Sequence, residues 1–261
     1  MLREGLTFFA SSLSSLFFPP VCPFCNSNMP QSDSSLCPAC RESIEFISPP
    51  VCFQCGLPVT GLGSDPAELC GRCLTDPPLY YRARYGIFYQ GEVRAALVRF
   101  KYYGALHAAK GFSEILVETF RRNFEPREFS LIVPIPIHRK RLVQRGFNQT
   151  VVIAENLSAA TGIPLDRTSL RKIKDTQPQV GLPRPERIKN LRGSFGVSRP
   201  SRIRNARVLI VDDVATTGST IREAAKTITR AGAASVDALV LALRAEPGSV
   251  PPSGIPQTQA E

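Results

Sequence analysis

The chain has 261 residues, 43% of them apolar, and 32 Lys and Arg against 22 Asp and Glu give a formal net charge of +10. That length buries at least one good core and leaves room for a small second unit, and no run approaches the roughly eighteen continuous apolar residues of a membrane span. The basic excess points to polyanionic partners, nucleic acid among them, unless it only aids solubility.

Residues 1–19 contain LREGLTFFASSLSSLFF, whose apolar runs are broken by Ser and carry Glu4, with no small-residue cleavage site. The spacing of Leu6, Phe9, Leu13, Leu16 and Phe17 predicts a short amphipathic helix that packs on the adjoining cysteine module, rather than a targeting segment.

Residues 20–78 hold all eight cysteines as four C-x-x-C pairs: Cys22/Cys25, Cys37/Cys40, Cys52/Cys55 and Cys70/Cys73. Each pair can turn two thiolates toward one tetrahedral ion, so two pairs complete a structural zinc site and the module would hold two Zn²⁺. Disulfides are the competing reading. The chain shows no secretory signal and is expected in the cytoplasm, where thiols stay reduced, which favours metal. Consecutive pairs would close loops of eleven and fourteen residues, as in stacked zinc ribbons, and a cross-braced arrangement would interleave them. Consecutive pairing is the reading adopted.

TDPPLYY, at about Pro78, reads as a linker into a larger unit over 79–245. There the pattern predicts helices at Glu92–Tyr102 and around Gly111–Arg122, then LIVPIP as a buried strand. A helix at Asn148–Thr161 ends on Gly162 in the C-cap position. RVLIVDD and SVDALVLAL flank a helix at Ser219–Ala231, a βαβ unit and hence parallel sheet of an α/β fold. The larger unit's own strands are expected to give it a core separate from the cysteine module. Residues 246–261 lack apolar periodicity and are expected to be disordered.

Within RVLIVDDVATTGST, residues 207–220, the loop Thr216-Thr217-Gly218-Ser219-Thr220 leads into a helix. Unpaired N–H groups at a helix start favour phosphate, Gly218 lets the backbone come close, and the hydroxyls add donors. Asp212 and Asp213, at the carboxyl end of the preceding strand, would repel a bare phosphate. They suit a ligand that also brings hydroxyls or a divalent cation, so the stretch reads as a sugar-phosphate cradle. The P-loop pattern and the dinucleotide G-x-G-x-x-G are both absent. A response-regulator receiver would need on the order of a hundred further residues after the acids.

The stretch resembles the phosphoribosyl pyrophosphate (PRPP) loop of type I phosphoribosyltransferases. Together with FKYYG from Phe100, VPIP from Val133, RGFNQ from Arg145, TQPQ from Thr176, ERIKN from Glu186, GSF from Gly193 and the cysteine pairs, it is similar to the competence protein F family. That resemblance spans nearly everything from about Pro20 to Arg244. It implies a type I phosphoribosyltransferase-like domain behind a double zinc ribbon. PRPP would be held with Mg²⁺ by Asp212, Asp213, Ala215, Thr216, Thr217, Gly218, Ser219 and Thr220, with Lys101 as the cation at the pyrophosphate.

The run HRKRLVQRGFNQ places Arg139, Lys140, Arg141 and Arg145 just after LIVPIP, on the ligand side of the sheet. The resemblance makes Arg145 and Asn148 part of a lid over PRPP. The residue types also fit a single-stranded DNA track, with Phe147, Tyr102 and Tyr103 for stacking, or a plain solvated face. Two functions are compatible with these residues: Mg²⁺-dependent phosphoribosyl transfer to an unidentified acceptor, or a non-catalytic, PRPP-responsive module that binds single-stranded DNA and DNA-uptake proteins.

Overall fold

Leu-, Ile- and Val-rich runs form the strands and Gly, Asn and Pro mark their ends, as the physics of buried parallel sheet requires. The computed structural model describes residues 21–29, 34–59, 67–176 and 184–244. In chain order these form α1 (Pro38–Ser43), α2 (Gly71–Thr75), β1 (Ala83–Phe88), α3 (Gly91–Tyr102), α4 (Ala108–Asn123) and β2 (Leu131–Pro134). Next come α5 (Arg139–Arg145), α6 (Gln149–Thr161), β3 (Leu170–Lys172), α7 (Arg184–Leu191), β4 (Phe195–Val197) and α8 (Pro200–Ile203). The chain closes on β5 (Arg207–Ala215), α9 (Ser219–Arg230) and β6 (Ser235–Leu243). The expected N-terminal helix and C-terminal tail lie outside the described residues.

The main sheet is wholly parallel, in the order β1-β6-β5-β2. Its two faces carry separate apolar layers, so β5 and β6 are buried on both sides and read as near-continuous apolar runs. One layer is built on α3, α4 and α6, including Phe100, Phe112, Phe120 and Leu157. The other is built on α9, with Ile221, Ala225 and Ile228 against Ile210 and Val240. β3 and β4 pair antiparallel as a small separate sheet.

The first half of the cysteine module does not have a core of its own, contrary to the expectation of two separately cored units, whereas Cys52, Cys55 and Cys73 form a small cluster apart from both layers, with Leu57, Val59 and Leu69 packed on it. Phe24 stacks on Phe112 at 5.1 Å, and Cys22, Leu36, Cys37 and Cys40 belong to the same apolar layer as α3 and α4. Residues 45–47 also pair with the outer edge of β1: Ile47 N donates to Gly86 O at 2.8 Å and Phe88 N to Glu45 O at 3.3 Å. An exposed strand edge is thereby covered.

Several predicted elements shift. LIVPIP is strand only to Pro134, since Pro136 cannot donate to a ladder. β5 continues past both acids to Ala215, so Asp212 and Asp213 lie inside a strand and are buried, rather than sitting at its end. The basic run after β2 is the helix α5, capped at its start by His138 and closed by the left-handed Gly146.

Candidate functional site

At the carboxyl end of the main sheet, β5 carries Asp212 and Asp213 with only 5% and 4% of their surface exposed. Their carboxylates fold onto the backbone, Asp212 Oδ1 accepting from Asp213 N at 2.9 Å and Asp213 Oδ1 from Val214 N at 2.7 Å. Lys101, in the last turn of α3, crosses to this strand and pairs with Asp213 Oδ2 at 2.7 Å. Burial, and then the neighbouring Asp213 charge, push the Asp212 carboxyl well above the usual carboxylate range, with Lys101 pulling the other way. Of the two adjacent buried acids only Asp213 is paired with an ammonium, so the pair carries negative charge that a further cation would relieve, which fits Mg²⁺ chemistry.

Beyond Ala215 the chain turns through Thr216 and Thr217 into Gly218, whose φ of +72° caps the start of α9. That left-handed backbone is the reason a glycine stands there. The hydroxyls of Thr217 and Ser219 lie 2.6 Å apart, and both side chains are buried. α9 is twelve residues long and starts on Ser219, so its first N–H groups face the loop. The loop residues named from sequence therefore stand together, and Lys101 stands with Asp213.

The basic run is less uniform. Lys140 pairs with Asp175 at 3.0 Å, Arg141 donates to Thr176 O at 3.0 Å, and Arg145 donates to Gln149 at 3.2 Å while its guanidinium lies 4.6 Å from the Tyr102 ring. Lys140 above all holds the Asp175 carboxyl below its ordinary range. Asn148 is a structural cap: its Oδ1 accepts from Thr150 N at 3.1 Å and its Nδ2 donates to Ile135 O at 3.0 Å. Arg139 is exposed, as are Tyr102 and Tyr103, at 64% and 79%.

Sequence reasoning missed Lys172 and Arg72. Burial lowers the Lys172 ammonium pKa, Arg141 adds to that, and the Asp212 and Asp175 charges oppose it, so this β3 lysine feels one of the two acids. Arg72 donates from Nη2 to Thr217 O at 3.3 Å. Lys172 stands in no motif, and Arg72 stands inside the Cys70/Cys73 pair, whose spacing speaks only for the cysteines, so only the packing of β3 and α2 reveals them. A half-open pocket of about 300 Å³ lies at the ends of β1 and β6, lined in part by Gln90, Arg94 and Arg244. Arg244 N donates to Ala215 O at 2.8 Å.

The cysteines gather as two sets of consecutive pairs, Cys22/Cys25/Cys37/Cys40 and Cys52/Cys55/Cys70/Cys73, each with all sulfurs within 4.8 Å of one another. Cys25 and Cys37 sulfurs are 3.6 Å apart and those of Cys55 and Cys70 3.7 Å. Four thiolates at about 2.3 Å from a tetrahedral zinc stand about 3.8 Å apart, so both sets fit that ion without rearrangement. Hydrogen bonding from Ser27 holds the Cys25 thiol down to about 6, while burial pushes the Cys40, Cys55 and Cys73 thiols up, a cost of ionisation that a cation among them would offset.

Comparison with known proteins agrees with this geometry. Residues 13–74 match the double zinc ribbon domain family and residues 148–254 the phosphoribosyl transferase domain family. The chain is 28% identical to competence protein F of Haemophilus influenzae over 87% of its own length and 98% of that protein. It is 29% identical to the DNA utilization protein YhgH of Salmonella typhimurium, covering 85% of this chain and 96% of the other. Competence protein ComFC of Bacillus subtilis is 27% identical, over 85% of this chain and 94% of its own.

Proposed function

Because the chain belongs to the competence protein F family, a double zinc ribbon ahead of a phosphoribosyltransferase domain, we propose that it binds PRPP with Mg²⁺ on the β5–α9 loop and transfers the phosphoribosyl group to an acceptor. The observation that carries this reading is the convergence of Lys101, the Asp212/Asp213 pair and the left-handed Gly218 loop at one sheet end. Backbone N–H groups and hydroxyls of Thr216 to Thr220 would take the 5-phosphate, and the two carboxylates the ribose hydroxyls. Bound Mg²⁺ would neutralise charge that develops on the leaving pyrophosphate. Lys101 would add a protein cation on the same side, where charge builds as the C1–oxygen bond breaks. Lys172 would reinforce that positive field, and the cavity beside Arg94 and Arg244 offers space for the acceptor.

The test begins with isothermal titration of Mg²⁺-PRPP. Asp212→Asn with Asp213→Asn should weaken binding at least about tenfold while the fold survives, because Asn keeps the Oδ1 acceptors used by the backbone. Wild-type affinity in that double variant would sink the assignment. Pyrophosphate release from a panel of bases and amines then decides whether transfer occurs.

A second reading rests on the exposed rings of Tyr102 and Tyr103 beside Arg145 and the exposed Arg139. Aromatic faces next to cations stack and hold single-stranded nucleic acid. On this reading PRPP is a signal, and the protein serves DNA uptake through single-stranded DNA and uptake partners, in keeping with the names of its relatives.

A further inference from the structure

Resting on the loop as a PRPP cradle, we propose that Arg72 and Tyr85 are positioning residues that couple the metal state of the Cys52/Cys55/Cys70/Cys73 cluster to the shape of that loop. Arg72 sits inside the knuckle, between Cys70 and Cys73, and its Nη2 hydrogen-bonds the carbonyl of Thr217 in the loop. In the opposite direction Arg222, in the first turn of α9, binds Asp76 at the end of α2, its Nη2 lying 2.7 Å from Oδ2 and 3.0 Å from the carbonyl oxygen. The knuckle and the loop are thus cross-tied by two guanidiniums.

Tyr85 makes the third tie. A Cβ on Gly56, the residue after Cys55, would meet its ring at 3.3 Å, and a Cβ on Gly218 would meet its hydroxyl at 3.4 Å. The buried ring therefore spans from the knuckle to the loop, and both glycines are left-handed, Gly56 packing first on the Ala83 carbonyl and then on the ring.

The charges explain why metal matters. Arg72 Nε, Arg222 Nη1 and the Tyr80 hydroxyl are buried and lack a hydrogen-bond partner among the described residues; Arg72 lies between two of the cluster's cysteines, and Tyr80 feels the charges of Cys55, Cys73 and both guanidiniums. A divalent ion among four thiolates leaves negative charge in excess, which is the counter-charge these donors lack. With the ion in place, Arg72 is held toward the cluster and Thr217 is held by Arg72. Without it, that anchor goes and the loop loses its rigid backing. Binding linkage runs both ways, so PRPP on the loop also secures the knuckle.

Hydrogen exchange on the zinc-loaded protein, with and without Mg²⁺-PRPP, tests this directly. In wild type the ligand should slow exchange over 212–222 and also over 67–76. In Arg72→Ala, with two zinc ions per chain verified, affinity should fall about tenfold, as loss of one charge-assisted hydrogen bond implies. Protection over 212–222 should persist at saturation, and protection over 67–76 should fall clearly below that of wild type, since the Arg222 and Tyr85 ties remain. Arg72→Lys, which keeps the charge beside the cluster but lacks the guanidinium fork, serves if the alanine variant sheds zinc, with the same outcome expected. Protection confined to 212–222 in wild type, or variant affinity and knuckle protection equal to wild type, overturns the coupling. No protection over 212–222 in wild type overturns the PRPP reading itself, and the coupling with it.

Discussion

Gly218 governs the loop through its backbone rather than through lack of space. A Cβ there would only touch the Tyr85 hydroxyl at 3.4 Å, an ordinary contact, but φ is +72°. A β-branched residue is strongly disfavoured at that angle. Gly218→Val should therefore abolish measurable Mg²⁺-PRPP binding and lower stability by about 1–2 kcal/mol, read by titration and by urea unfolding. Asp237, on β6, supplies a different kind of residue-scale forecast. Burial pushes its carboxyl up to about 6, with Arg82 at 3.2 Å opposing. A carboxyl that holds its proton more tightly folded than unfolded adds stability below about pH 4, and that contribution is lost as pH rises through about 6. Asp237→Asn keeps an acceptor for Arg82 and removes the titration. The difference in unfolding free energy between variant and wild type should thus grow in the variant's favour from pH 4 to 6 and stay level above. A difference that does not change over that window would refute the assignment.

Helix α5 is where the two functional readings separate. If its cations lie on a single-strand track, Lys140→Ala with Arg141→Ala should cut the log–log salt slope of oligonucleotide binding by about 1.4, roughly 0.7 for each lost phosphate contact, and leave PRPP affinity unchanged. If α5 works as a lid, PRPP affinity falls and the slope stays. Both side chains already tie α5 to residues 175 and 176, so the variant's helical signal must be checked first. How legible such elements were depended on what sets their structure. β5, α9 and β6 were readable because burial on both faces writes continuous apolar runs and a βαβ order, and α6 because its periodic run ends on the C-cap Gly162, although Asn148 proved to be its N-cap rather than its first residue. β1 was not, because Gly86 interrupts its apolar pattern and its pairing partner β6 lies more than a hundred residues away. β3 and β4 are three residues each, too short for any period to show. The two acids were legible as candidates but not as buried groups, since the extension of β5 to Ala215 is set by its pairing with β6. Lys172 and Arg72 reach the site only through tertiary packing, which no local spacing encodes.

For the molecule as a whole, the decisive fact is that both zinc modules are wedged into the folded body rather than strung ahead of it. Phe24 and Leu36 fill the layer under α3 and α4, Arg99 donates to the carbonyl oxygens of Pro23 and Phe24, Gln54 of the second knuckle donates to the carbonyl oxygens of Pro78 and Tyr80, and Arg84 on β1 donates to that of Phe53 in the knuckle. Metal binding supplies the folding energy of small ribbons, so its free energy is shared with whatever they pack against. Metal analysis should return two zinc ions per chain. Stripping them with a strong chelator should then lower the unfolding midpoint of the entire chain and expose apolar surface from the α3–α4 layer, seen as dye binding and faster exchange over 93–116. The alternative, a cysteine module with its own core, makes the opposite forecast: ribbons that melt alone and a sheet whose exchange is unaltered. Reduction must accompany the chelator, because eight freed thiols could otherwise form disulfides that mimic the metal's constraint. An unchanged midpoint under reducing, metal-free conditions would show that the packing of Phe24 and Leu36 contributes little on its own, and that the shared core is not the source of the coupling.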